Sequence, residues 1–204
     1  QFILYQMILE VVKYGDPVLR AKGARIETIT PAIGRLIDDM FETMYHARGI
    51  GLAAQQVGHA LQLTVIDVRE AVDRPSTLEL DGKPAEPNDF MPLVLINPQV
   101  NAVKTSAKAE GPEGCLSFPE IFADITRPES VDVVAMDRDG KRVEFRCGGL
   151  LARAVQHETD HLNGILFIDR MDSETKSNLK PEIEDLQAAT KAALQKKKKM
   201  PPVL

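Results

Sequence analysis

Two histidines four residues apart form the strongest chemical signal in the sequence. They belong to the segment QHETDH, residues 156–161. In a helix, residues i and i+4 lie one turn apart on the same face, so both imidazoles can reach one metal ion. The glutamate after the first histidine is rotated by about 100° and can point at water bound to that ion. The pattern predicts two metal ligands, His157 and His161, and a general base, Glu158.

A catalytic site of this kind needs a third protein ligand and leaves one position for water. No histidine follows His161, and the downstream glutamates lie in a charged segment that is predicted to be an outer helix. Cys115 is the upstream candidate, because a thiolate is a good soft ligand and the turn predicted around it contains glycine and proline. By itself, a lone cysteine is more often a small buried hydrophobic residue, and the two histidines can be hydrogen-bonded core residues.

A buried helix is predicted to carry the two histidines. Gly148 and Gly149 precede a mostly apolar stretch over 150–162, which stops at Asn163-Gly164 as a helix with a glycine cap does. A second helix is predicted over 31–47, where apolar residues recur at helical spacing after Thr30-Pro31. The segment Gly49-Ile50-Gly51 that follows is predicted to be a turn.

Short apolar runs predict strands over 61–68, 93–96, 131–136 and 142–147, and Asp139-Gly140 between the last two is a strong hairpin signal. The segment 69–92 is rich in proline and acidic residues and lacks a sustained period, which predicts a long surface loop. Beyond Asp172, a sparse amphipathic stripe predicts a C-terminal helix with a break or fresh start near Pro181.

Length and composition define the class of protein. The 204 residues are 44% hydrophobic and 27% charged, which suffices for a core and excludes a disordered chain. No apolar run has the roughly 18 residues that a membrane span needs. The 25 basic and 30 acidic side chains give no global basic field for nucleic acid. Two cysteines cannot form a disulfide framework, which fits a reducing compartment. From these features together we expect a soluble cytoplasmic protein that binds neither DNA nor a membrane.

Three segments, in order along the chain, resemble the signature motifs of the peptide deformylases. They are GIGLAAQQ (49–56), EGCLS (113–117) and QHETDHLNG (156–164). The similarity extends to YGDPVLR (14–20) and GILFIDR (164–170), and it covers roughly residues 7–171. It implies an α+β fold in which antiparallel β-sheets pack around a central metal-binding helix, with an N-terminal and a C-terminal helix.

The resemblance also implies a role for each site residue. The ligands of one divalent ion, Fe²⁺ natively with Ni²⁺, Co²⁺ or Zn²⁺ as substitutes, would be Cys115, His157 and His161. The catalytic groups would be Glu158 as general base and acid, and the Gln56 amide with the Leu116 N–H as oxyanion donors. The substrate-binding residues would be Gly51, Ile50, Glu113, Gly114, Leu150 and Ala154. Arg153, within the buried helix, needs a carboxylate, and Glu113 is its hypothesised partner.

The implied reaction is the metal-dependent hydrolysis of the N-formyl group from formyl-methionine at the start of nascent polypeptides. Metal-bound water would attack the formyl carbon, and formate would be released. Two alternatives stay open at this point. One is another HExxH metallohydrolase, an amidase or peptidase, whose third ligand is not Cys115. The other is a non-enzymatic protein with a closed structural metal site.

The resemblance and the composition also predict the organisation and partners of the chain. Residues 7–172 are expected to form the catalytic domain, and 173–195 a C-terminal helix packed on it or extending it. Residues 1–6 are expected to be a non-native or disordered extension, and 196–204 a basic disordered tail. The expected partners are formylated nascent peptides, with weak ribosome association through the lysine-rich end, and the protein is expected to be a monomer.

Overall fold

The computed structural model describes residues 7–199 and has the predicted α+β fold. Its strands are β1 (Gly51–Ala53), β2 (Leu63–Ile66), β3 (Ser76–Leu80), β4 (Lys83–Ala85), β5 (Leu93–Ala102), β6 (Lys108–Cys115), β7 (Phe118–Pro128), β8 (Ser130–Met136) and β9 (Arg142–Gly148). Its α-helices are α1 (Pro31–His46), α2 (Gly149–Leu162), α3 (Ser173–Asn178) and α4 (Lys180–Lys199). None of the helices in this part of the chain has the length and apolar character that spanning a bilayer requires.

The strands form two antiparallel sheets. Seven strands make one sheet in the order β1-β2-β5-β8-β9-β3-β4, and β6 and β7 form a separate long hairpin. Helix α2 lies between them, since it contacts β1, β2, β3 and β9 of the large sheet and β7 of the hairpin. The predicted central helix is therefore confirmed.

The large sheet is covered on both faces near its β1 edge. Successive side chains of a strand point to opposite faces, so Leu95 of β5 packs in the same cluster as α2, and Ile96 packs in the cluster that contains α1. Burial on both sides explains why this part of β5 is a continuous apolar run rather than an alternating one. The sheet thereby gives α2 a rigid support.

The predicted helix ends are confirmed to within about one residue. Thr30 caps α1 by accepting a hydrogen bond from the Ile33 N–H at 3.3 Å, and the helix ends at His46. Helix α2 ends at Leu162 and is followed by Gly164, whose φ is +71°. A Cβ at Gly164 would lie 2.5 Å from the Arg20 carbonyl oxygen, so both the backbone conformation and the close packing require glycine there.

The prediction of a long surface loop over 69–92 is wrong. Strands β3 and β4 form a hairpin inside this segment, closed by Asp81-Gly82, whose φ angles of +51° and +72° are those of a type I′ turn. Strand β3 pairs with β9, and its Leu78 is only 3% exposed. The hydrogen bonds that hold β3 come from a strand about 70 residues away along the chain. The local sequence pattern of residues 69–92 does not indicate that partner strand.

Other boundaries near the site and the C-terminus also differ from the predictions. Gly51 begins β1 rather than lying in a turn, and Cys115 is the last residue of β6, just before the tight connection to β7. The break near Pro181 is confirmed, because α3 ends at Asn178 and α4 begins at Lys180. Helix α4 continues through 196–199, which were predicted to be disordered. Residues 1–6 and 200–204 lie outside the described residues.

Candidate metal centre

Cys115, His157 and His161 converge where the end of β6 meets the centre of α2. One ligand atom from each residue lies within 4.8 Å of the other two, and Cys115 Sγ is 3.3 Å from His161 Nε2. The histidines are 8% and 1% exposed, and His161 Nδ1 is buried without a hydrogen-bond partner among the described residues. A thiolate and two imidazoles at this separation fit one soft divalent ion.

Glu113 orients the first histidine. Its Oε2 lies 2.9 Å from His157 Nδ1, which leaves Nε2 of the ring to face Cys115 and His161. The same carboxylate accepts two hydrogen bonds from Arg127, at 2.6 and 2.9 Å, and one from Arg153 at 2.8 Å. The hypothesised pairing of Arg153 with Glu113 is thus present. A hydrogen bond to the far nitrogen of a ligating histidine fixes its tautomer and the direction of its ring.

Arg127 is a site residue that none of the sequence motifs predicts. Its side chain is 4% exposed, and it bridges Glu113 to Asp160 of α2, 2.8 Å from its Nη1. Arg170 closes the other side of Asp160 at 2.7 Å. A signal for Arg127 does exist, because the alternation along β7 places it on the same buried face as Ile125. A charged residue on an apolar face needs a buried partner.

The buried cluster shifts the pKa values of its members. Burial raises the pKa of Glu113, but hydrogen bonds from His157 and Arg127 outweigh burial and lower it to about 2. Burial lowers the pKa of His157, but hydrogen bonds with Cys115 and Glu113 raise it to about 10. Burial, followed by the charge of His157, holds the pKa of His161 well below its usual value. Because an imidazole binds metal in its neutral form, a cation must compete with the proton on His157.

Glu158 lies beside Gly51 at the floor of a cleft. The residue is 5% exposed, and burial is the main cause that raises its pKa to about 7. Its Oε2 has no hydrogen-bond partner within residues 7–199. A Cβ on Gly51 would collide with the Glu158 carboxylate, so a side chain at position 51 would displace it. A carboxylate with a pKa near neutrality can take up and return a proton at cellular pH.

Gln56 presents its amide nitrogen to the sulfur of Cys115. It lies in a 3-10 helix (Ala54–Val57) directly after β1, and its Oε1 accepts the Ala53 N–H at 2.8 Å. With the oxygen held in this way, Nε2 faces Cys115 Sγ at 3.4 Å and Ser117 Oγ at 3.5 Å. The local fold therefore sets the direction of this hydrogen-bond donor.

The cleft in front of these residues has a volume of about 580 Å³. All the residues predicted to bind substrate line it: Ile50, Gly51, Glu113, Gly114, Leu150 and Ala154. The predicted catalytic groups Gln56, Leu116 and Glu158 line it as well, together with Cys115 and His157. His161 is not among the residues that line the cleft. The carboxylate of Glu113 is engaged in hydrogen bonds with Arg127, Arg153 and His157, so its predicted contact with substrate stays a prediction.

Residues 8–177 match the family model described as polypeptide deformylase. The chain belongs to the polypeptide deformylase family. It is 43% identical over 187 residues to the peptide deformylase of Opitutus terrae, a match that covers 92% of this chain and 97% of the relative. It is 46% identical over 180 residues to that of Methylacidiphilum infernorum, covering 88% and 93% of the two chains.

The deformylase fold is also shared with solved structures. The crystal structure of a peptide deformylase from Synechococcus elongatus in complex with actinonin matches 93% of this chain and 89% of that one. The TM-score is 0.70 and the sequence identity 35%. The deformylases are metal-dependent hydrolases that remove formyl groups, so the expectations of an enzyme, of this family and of this fold class are confirmed.

Proposed function

We propose that the protein hydrolyses the N-formyl group from formyl-methionine at the start of nascent polypeptides and releases formate. The observation that carries the proposal is the convergence of Cys115, His157 and His161 beside Glu158 in a cleft of a deformylase fold. The three donors would hold one divalent ion, Fe²⁺ in the native protein with Ni²⁺, Co²⁺ or Zn²⁺ as substitutes. Such an ion supplies an activated water at neutral pH.

Proton transfer and oxyanion stabilisation are then assigned to different residues of the chain. Glu158 takes the proton of the attacking water and returns it to the departing amine, a task that suits its pKa of about 7. Gln56 Nε2 and the Leu116 N–H donate hydrogen bonds to the oxyanion that develops at the formyl group. One such preorganised donor contributes about 3 to 4 kcal/mol to lowering the barrier.

The cleft supports methionine as the residue next to the formyl group. Ile50, Leu150 and Ala154 line its apolar part and would contact the unbranched methionine side chain. Gly51 and Gly114 line the cleft without a side chain of their own, and a substrate backbone would approach closely beside them. Glu113, whose carboxylate is engaged elsewhere, would contribute to binding through its backbone.

Formate release from a formyl-methionyl peptide, measured anaerobically with the Fe²⁺ or Ni²⁺ protein, tests the proposal. The acetylated peptide should not be cleaved, and its hydrolysis in place of the formyl peptide would favour a general amidase. Glu158→Gln should retain metal and lower kcat by about 10²- to 10⁴-fold, since it removes the proton acceptor. Glu110→Gln, an exposed position on β6, is the matched control.

The ligand set is tested separately by metal content. Cys115→Ser should lose most of the bound metal, because a hydroxyl is a poor substitute for a soft thiolate. If Cys115→Ser retained both metal and activity, the proposed ligands would be wrong, and a different metallohydrolase would be the better description.

We also propose that the protein acts as a cytoplasmic monomer that associates weakly with ribosomes. The support for ribosome association is the lysine-rich end of α4, where Lys191, Lys196 and Lys197 are exposed. Lys197 pairs with Glu10 at 2.9 Å, so at least part of this charge is locally compensated. Truncation after Leu194 should reduce ribosome co-sedimentation at low salt, and unchanged co-sedimentation would refute this assignment.

A further inference from the structure

Phe122 stands at the entrance of the cleft with its ring open to solvent. It is 67% exposed and lines the same cleft as His157 and Glu158. A single exposed aromatic residue on a protein surface is common. An exposed aromatic ring at the entrance of a cleft that contains a metal centre is a candidate contact for a ligand, because covering it removes apolar surface from water.

Gly114 explains how the ring is held. The two residues are paired across β6 and β7, and a Cβ on Gly114 would lie 2.6 Å from two ring carbons of Phe122. The φ of Gly114 is not in the left-handed region, so the glycine serves the packing of the ring and not the backbone conformation. The ring therefore lies against the strand one residue before Cys115.

Several long charged side chains line the cleft together with Phe122. Lys13, Arg48, Arg74 and Glu120 line the same cleft, and Arg74 Nη2 approaches the Pro112 carbonyl oxygen at 3.4 Å. Phe122 thus offers a local apolar surface among charged groups. Contact with Phe122 would favour substrates that have an apolar side chain at this position over substrates that have a polar one.

We propose that Phe122 is a specificity-determining residue, which binds an apolar or aromatic side chain on one of the two residues that follow formyl-methionine. The inference rests on the proposed function. The formyl group must reach the three donors at the cleft floor, so the chain beyond methionine must leave through the entrance. Each extended residue advances about 3.4 Å, and the ring covers the residue next to Cys115, which places it beside the first residues to emerge.

A purely structural role is the competing explanation. An aromatic ring that covers a cross-strand glycine can stabilise a hairpin without touching a ligand. In that case, replacing Phe122 would lower stability or affect every substrate to the same extent. A ligand contact would instead change the ratio of kcat/KM between substrates that differ only after methionine.

Three peptides separate these explanations: formyl-Met-Leu-Ser, formyl-Met-Ser-Leu and formyl-Met-Ser-Ser. The metal-loaded protein should prefer one of the two leucine peptides over the serine peptide by about five-fold in kcat/KM, the size expected for one partly covered apolar contact. Phe122→Ala should reduce that ratio to near one, and Phe122→Leu should keep most of it. Val72→Ala, at an 85% exposed residue that does not line the cleft, should leave the ratio unchanged.

Two results would overturn the proposal. One is a wild-type protein that cleaves all three peptides with equal kcat/KM. The other is a Phe122→Ala protein that keeps the wild-type ratio, whatever its stability; Phe122→Gln repeats this test with a side chain of greater length than alanine. Failure of the proposed function looks different, because the metal-loaded wild-type protein would then release formate from none of the peptides.

Discussion

Replacing Glu113 by glutamine should destabilise the protein more than the exchange of one oxygen for an amide nitrogen suggests. The carboxylate accepts hydrogen bonds of 2.6 to 2.9 Å from Arg127, Arg153 and His157, and its side chain is 4% exposed. Glutamine has the same shape but carries no charge, and its NH₂ group would face donors. The variant therefore leaves two largely buried guanidinium groups without their shared counter-ion.

The size of the expected loss in the free energy of unfolding follows from the pKa of Glu113 and from its burial. Lowering this pKa from 4.5 to about 2 corresponds to about 3 kcal/mol of stability. Because the folded-state pKa is the lower one, this contribution is complete above about pH 4.5 and is lost as the pH falls through about 2. Removing one partner of a buried ion pair costs about 3 to 5 kcal/mol. This cost is similar to the value obtained from the pKa near neutral pH.

Urea unfolding of the metal-free proteins at neutral pH measures this difference without a contribution from bound metal. Glu113→Gln should unfold at a lower urea concentration, with a similar dependence of the unfolding free energy on urea. The difference in unfolding free energy between this variant and the wild-type protein should shrink as the pH is lowered. Glu110→Gln, an exposed residue three positions earlier on β6, should change stability by less than about 0.5 kcal/mol. The reasoning would be refuted if the two variants were equally stable, or if the Glu113→Gln deficit did not depend on pH.

Three further predictions concern the metal centre and the cleft. Gln56→Ala should lower kcat by about 10²- to 10³-fold with little change in KM, because the oxyanion donor acts mainly in the transition state; an equal loss through KM alone would contradict this role. Gly51→Ala should retain metal and lower kcat by about 10²-fold by displacing the Glu158 carboxylate, whereas Gly34→Ala, which meets no atom within 4 Å, should stay fully active. Since hydrogen bonds raise the pKa of His157 to about 10, binding of a divalent ion near neutrality should release protons from the site. Calorimetry in two buffers of different ionisation enthalpy measures this release, and an unchanged heat would refute it.

The parts of the site that local sequence predicts are those whose geometry a single helix sets. His157 and His161 share a face of α2 because of the helical period, and Glu158 is offset from them for the same reason. The caps at Thr30 and Gly164 are equally local, since each depends on the backbone within a few residues. These features need no knowledge of the rest of the chain.

One error falls where the pairing partner is distant, and another where residue types hide a local hairpin. Strand β3 is held by β9, and the β6–β7 hairpin carries glycine and proline in positions that weaken a strand signal. Arg127 was missed for a related reason. The alternation along β7 indicates that it is buried, but its partners are known only when β7 brings it between Glu113 of β6 and Asp160 of α2, which are separated by 47 positions in the sequence.

The sequence by itself determined the family resemblance, the two histidines on one helical face and the candidate third ligand at Cys115. Those conclusions follow from residue types at fixed spacing, which helix geometry converts into positions. Only the tertiary structure decided that Cys115 lies 3.3 Å from His161, that Glu113 orients His157, and that the Phe122 ring packs over Gly114 at the entrance. The first two contacts join residues 46 and 44 positions apart in sequence, and their geometry is fixed by how α2 packs between the large sheet and the β6–β7 hairpin. The third depends on the register in which β6 pairs with β7.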